Sequence, residues 1–66
     1  MKKVTITFAT SRRVILTEGL VQMLEQQIDN NAFIFEIEEE EIDMLIEEIE
    51  DEIEFPLESV LVEELN

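Results

Sequence analysis

Glu36–Glu54 reads EIEEEEIDMLIEEIEDEIE, and the folding of this stretch decides the architecture of the chain. Twelve of its nineteen residues are Asp or Glu and none is Lys or Arg, so nothing within it offsets the charge. Ile42, Leu45, Ile46, Ile49 and Ile53 recur at helical spacing, and a helix gathers them within about 100° of arc. The spacing predicts a helix over residues 38–54. Pro56 ends it, because a proline pushes the residue before it out of the α region. An apolar seam pins this helix to the rest of the molecule, and the remaining circumference is almost solid carboxylate.

Upstream of the helix, Phe33, Phe35 and Ile37 alternate with their neighbours and predict a strand over 32–37. Before it, Leu20, Val21, Leu24 and Ile28 form a helical stripe that closes at Asp29-Asn30-Asn31. Thr17 is the natural N-cap of that helix, with Glu18 in its first turn. At the start of the chain Val4, Ile6 and Phe8 share one face of a half-buried strand. Ala9–Arg12 can turn the chain into a second short strand over Arg13–Leu16, which makes a hairpin. A helix starting at Ser11 competes with that reading. Downstream, Leu57, Val60, Leu61 and Leu65 fit a short helix with Pro56 near its first position. A strand through Val60-Leu61-Val62 is the rival reading there. The expected fold is α+β: N-terminal β-hairpin, helix, third strand, acidic helix and a short C-terminal helix or strand, all in one domain over 1–66.

Sixty-six residues bury only about 60% of their unfolded surface, yet 45% hydrophobic residues are enough for a core. With no Cys and no His there are neither disulfide staples nor thiolate or imidazole metal ligands. An unstapled domain of this size gains from a partner, so a homodimer stays among the expectations. No apolar run approaches the roughly 20 residues of a membrane span. The polar–apolar alternation after Lys2 and Lys3 is wrong for a signal peptide, so the expected location is the cytoplasm.

Charge is the extreme feature. The net is −14, from 18 acidic and four basic residues, and Lys2, Lys3, Arg12 and Arg13 all precede Val14. Nucleic acid and anionic membranes are repelled by most of this molecule, and a basic protein is attracted. Direct nucleic-acid binding is therefore not expected.

The chain contains no His, Cys, Tyr or Trp, so triads, thiol nucleophiles and imidazole acid–base pairs have no residues to build them. A pair of carboxylates acting as acid and base needs one member in an apolar pocket, which acids on a solvated face lack. Catalysis is not expected. Neither is a dedicated metal site or any cofactor: the twelve-residue calcium loop with its central Gly is missing, and one glycine cannot cradle a phosphate.

Two readings of the acidic face compete. Runs of charge are ordinarily solvated surface, but ordinary solvated helices intersperse Lys with Glu and gain a few tenths of a kcal/mol per pair. Here Asp43–Glu47, Glu47–Asp51, Glu48–Glu52 and Glu50–Glu54 are all like-charge pairs at i,i+4. Solubility does not require that every Lys be excluded. A helix over 38–54 spans roughly 26 Å and holds eleven carboxylates, about one per 2.3 Å, against about one phosphate per 1.7 Å of duplex DNA. A groove of Lys and Arg built for phosphates would accept such a helix. In composition and size the chain is similar to DNA-mimic inhibitors, many of them small, acidic and made by phages or mobile elements.

The expected function is non-enzymatic inhibition through the basic, nucleic-acid-binding surface of a target protein. The partner-binding candidates are Glu40, Glu41, Asp43, Met44, Glu47, Glu48, Asp51 and Glu54; Met44 reads either as a tolerated exposed methionine or as an adaptable apolar contact ringed by charge. The alternatives are an antitoxin-like acidic regulator of a basic partner, without nucleic-acid competition, and a structural homo-oligomer.

Overall fold

β1 (Lys2–Phe8) is first in the chain and central in the sheet. In the computed structural model, which describes residues 1–65, the elements that follow are α1 (Glu18–Met23), β2 (Leu24–Asp29), β3 (Ala32–Ile37), a 3₁₀ turn (Glu39–Glu41), α2 (Ile42–Glu52) and β4 (Leu57–Glu64). The four strands lie in the order β2-β3-β1-β4, and every neighbouring pair is antiparallel. β1 and β2 are therefore parallel to each other with β3 between them, and β3 and β4 are parallel with β1 between them. α1 makes the first crossover and α2 the second. This βαββαβ order is the ferredoxin-like arrangement, which by itself assigns no function.

Alternation sets which face is covered. Val4 pairs with Phe35 and Ile6 with Phe33, so these side chains share one face with Phe8 and Ile37. Leu20 of α1, Leu45 and Ile49 of α2, Ile53, and Val14 from the irregular segment 9–17 pack on that face. Phe8 and Phe33 meet edge to face, with ring centroids 6.0 Å apart, a geometry that adds about 1 kcal/mol beyond burial. The opposite face presents Lys3, Thr5, Thr7, Ile34, Glu36, Leu61 and Glu63, and no aromatic ring. All three strand phenylalanines point inward.

The α+β class and the order strand, helix, strand, acidic helix follow the sequence reading, and four local differences have physical causes. The second limb of the N-terminal hairpin does not form. Residues 13–16 stay irregular because Val14 plugs the core, only 3% exposed, while its N–H donates to Asn30 O at 2.8 Å. Thr17 does occupy the N-cap position of α1, without a side-chain cap bond. The helix, however, stops at Met23, and Leu24–Asp29 becomes an edge strand. β3 is buried on both faces and needs a ladder partner on that side, and that demand overrides the helical stripe. The hairpin of the fold is thus β2–β3, closed by Asn30-Asn31. Asn31 Nδ2 donates to Phe8 O (3.0 Å) and Thr10 O (2.7 Å), tying this turn to the end of β1.

At the other end, the acidic helix is shorter than 38–54. Glu39–Glu41 form a 3₁₀ turn, and Ile53 turns extended, burying its side chain. Glu50, Asp51 and Glu52 already load the C-terminal turn with negative charge, the wrong sign for the helix dipole, and a longer helix would add Glu54. Pro56 O accepts from Ala9 N–H at 2.8 Å, which fixes where the chain must leave the helix layer. The C-terminal segment takes the strand form, β4, rather than the helix.

Candidate protein-binding face

At 100° per residue, Ile42, Leu45, Ile46 and Ile49 line the inner side of α2, and Met44, Glu47 and Asp51 form the opposite crest. The structure agrees: Leu45 and Ile49 are buried, Ile42 and Ile46 half-buried, and Asp43, Met44, Glu47 and Asp51 exposed. Met44 is 69% exposed, which places an apolar side chain in solvent between carboxylates of the preceding and following turns. Glu40 and Glu41 continue the crest from the 3₁₀ turn, both exposed.

Two candidates sit elsewhere. Glu48 is half-buried on the flank facing α1, and a Cβ built on Gly19 would lie 3.6 Å from Glu48 Oε1. The two helices approach where α1 carries no side chain, so Glu48 is partly committed to that contact. Glu54 is exposed but lies past the end of α2, in the extended segment that leads to β4. The face is thus built from Glu40, Glu41, Asp43, Met44, Glu47 and Asp51, with Glu48 at its margin.

Charge on this face is uncompensated among the described residues. The two ion pairs are Met1 N-terminus to Glu38 (3.9 Å) and Lys2 to Glu64, and neither involves α2. Arg12 and Arg13 are exposed on the segment after β1, and Arg13 shares a cleft with Glu52 and Glu54 at the C-terminal end of α2. α2 holds six carboxylates and the 3₁₀ turn three, nine over about 22 Å, or about one per 2.5 Å. That is slightly sparser than the longer helix anticipated from sequence. The acids are strung along an axis, and among the described residues no three converge into a set that could hold a metal ion.

No family model, curated protein or solved structure matches the chain.

Residues and geometry alone therefore describe this surface. Among the described residues no helix is long and apolar enough to cross a membrane. One feature of the described surface escaped the sequence reading. Val60 and Val62 sit on the core side of β4, opposite Ile6 and Val4, yet they are 37% and 44% exposed, and Leu61 on the other side is 56% exposed. The helix layer stops short of this strand. The sequence reading offers a strand through Val60-Leu61-Val62 as the rival form, as β-branched residues favour, but nothing in the spacing signals that both of its sides would be exposed.

Proposed function

We propose that this protein is a non-enzymatic inhibitor acting in the cytoplasm. It occupies the basic, nucleic-acid-binding surface of a target protein with the α2 crest. The observation that carries this reading is the row Asp43, Glu47, Asp51 around an exposed Met44, with no cation paired to α2 among the described residues. Asp43–Glu47, Glu47–Asp51 and Glu48–Glu52 are like-charge i,i+4 pairs within the helix, together costing about 1 kcal/mol. A purely solubilising face avoids that cost by including lysines. A basic groove on a partner removes it, because attraction to Lys and Arg replaces self-repulsion.

Direct nucleic-acid binding is the weaker reading. In single-strand RNA recognition on an open four-stranded sheet, bases stack on aromatic side chains, and here the open face offers Lys3, Thr5, Thr7 and Ile34 while Phe8, Phe33 and Phe35 face the core. Mimicry requires that target binding and nucleic-acid binding exclude each other. The test is size-exclusion chromatography of the target with its nucleic acid, to which this protein is added. Displacement of the nucleic acid is the expected outcome. A stable ternary complex would replace mimicry with an acidic regulator that does not compete for the groove.

A further inference from the structure

β4 pairs only with β1, so among the described residues the backbone groups along its other edge meet no strand. The register shift between Thr7 and Phe8 leaves Glu58 as an extra residue on β4, and the regular edge runs from Ser59 to Glu64. Edge strands are ordinarily blunted by lysines, prolines, bulges or inward charges. Here the bulge closes one end only, and Val60, Leu61 and Val62 stay exposed along the middle.

Rows running across the sheet define what would continue it. Glu36, Lys3 and Glu63 lie side by side on the open face, alternating in sign and ending on a carboxylate at the edge. On the helix side the rows Phe35–Val4–Val62 and Phe33–Ile6–Val60 are apolar throughout, and the row beyond them, Ile37–Lys2–Glu64, again ends on a carboxylate at the edge. An antiparallel strand continuing these rows carries a cation opposite Glu63 and apolar residues opposite Val62 and Val60. Its pattern is basic–apolar–any–apolar. β1 has that pattern in Lys3-Val4-Thr5-Ile6 and already fills the inner edge of β4 in this register. The only other copy in the chain is Arg13-Val14-Ile15-Leu16, whose Val14 is locked in the core. A second copy of the protein therefore has no free segment that fits, and its own β4 would bring further carboxylates to the edge.

We propose that the Ser59–Glu64 edge of β4 binds an extended basic segment of the target, added antiparallel in the pattern basic–apolar–any–apolar. That the segment belongs to the target of the α2 crest rests on the function proposed above.

The probe is a capped peptide with the sequence of Lys2–Thr7, KKVTIT, titrated into isotopically labelled protein and followed by amide resonances and hydrogen exchange. Saturable shifts and slowed exchange confined to Ser59–Glu64 are expected, with the all-acidic analogue EEVTIT binding much more weakly. Glu63→Lys should weaken KKVTIT about two- to fivefold, the range of one exposed ion pair, and recover affinity for EEVTIT. Val62→Thr, a β-branched replacement at an exposed position, should also weaken binding and serves if Glu63→Lys does not fold. Shifts confined to α2, equal affinity for both peptides, or a dimer by sedimentation with the edge already protected would each overturn the proposal. An edge that binds KKVTIT while the α2 crest fails to displace nucleic acid would refute the proposed function alone. The reverse pattern would refute the edge alone.

Discussion

Glu47→Lys separates self-repulsion from partner attraction in a single substitution. Glu47 lies four residues after Asp43 and four before Asp51, exposed on the crest of α2. Each like-charge pair at that spacing costs about 0.2–0.5 kcal/mol, and an opposite pair returns a similar amount. Lys at 47 gains in the favourable order with Asp43 and in the weaker order with Asp51, so the helix gains about 1 kcal/mol. For a domain of this size that is a rise of about 4–8 °C in Tm. The rise should shrink as ionic strength goes from about 10 mM to about 1 M, because the Debye length falls from about 30 Å to about 3 Å. Against a basic groove the same lysine replaces attraction with repulsion, and affinity for the target should fall by about 1 kcal/mol or more, at least fivefold. Thermal melts at both salt concentrations and calorimetric titration with the target give the two readouts. Opposite movement of stability and affinity is the expected result. An unchanged or lower Tm at low salt would refute the self-repulsion reasoning. A raised Tm with full affinity would reduce the crest to solvated surface.

Gly19→Ala should stabilise by up to about 1 kcal/mol in chemical denaturation, since the added Cβ would meet Glu48 Oε1 at an ordinary 3.6 Å; a loss instead would show that the Glu48 side chain has no slack beside Gly19. Asn31→Ala removes both side-chain bonds, to Phe8 O and Thr10 O, and should cost about 1–3 kcal/mol in urea denaturation; a negligible change would mean the β2–β3 turn does not depend on its tie to β1.

What the sequence revealed depended on whether a local pattern had a single solution. Val4, Ile6 and Phe8, and likewise Phe33, Phe35 and Ile37, alternate with period two, and both segments are strands. The seam of α2 was equally legible, with Leu45 and Ile49 fully buried and Ile42 and Ile46 at its sides. Leu24–Asp29 was not, because Leu20, Val21, Leu24 and Ile28 make a good helical stripe and only the demand of β3 for a second ladder turns the chain extended there. Ile28 ends up exposed as a result. Val60, Leu61 and Leu65 fitted a helix as well as a strand until β1 supplied a partner. The carboxylates of the crest could be read directly from spacing. The turn of Glu48 toward Gly19, and the displacement of Glu54 beyond α2, depend on how two helices meet.

The central position of β1 also governs the order in which the molecule can be assembled. β1 is synthesised about fifty residues ahead of β4, an interval of roughly 3–10 s at ordinary translation rates. Its first sheet neighbour, β3, follows sooner, but the flank that β4 will cover stays open until the end of that interval. During it, a nascent chain presents a strand that opens on two lysines and then alternates apolar residues with threonine, with one side unpaired. Closure by β4 joins residues about fifty to sixty positions apart, the slowest kind of contact to form. The growing chain therefore carries a hazard of its own, beside the open β4 edge of the native fold, because it still lacks the strand whose carboxylates face Lys2 and Lys3.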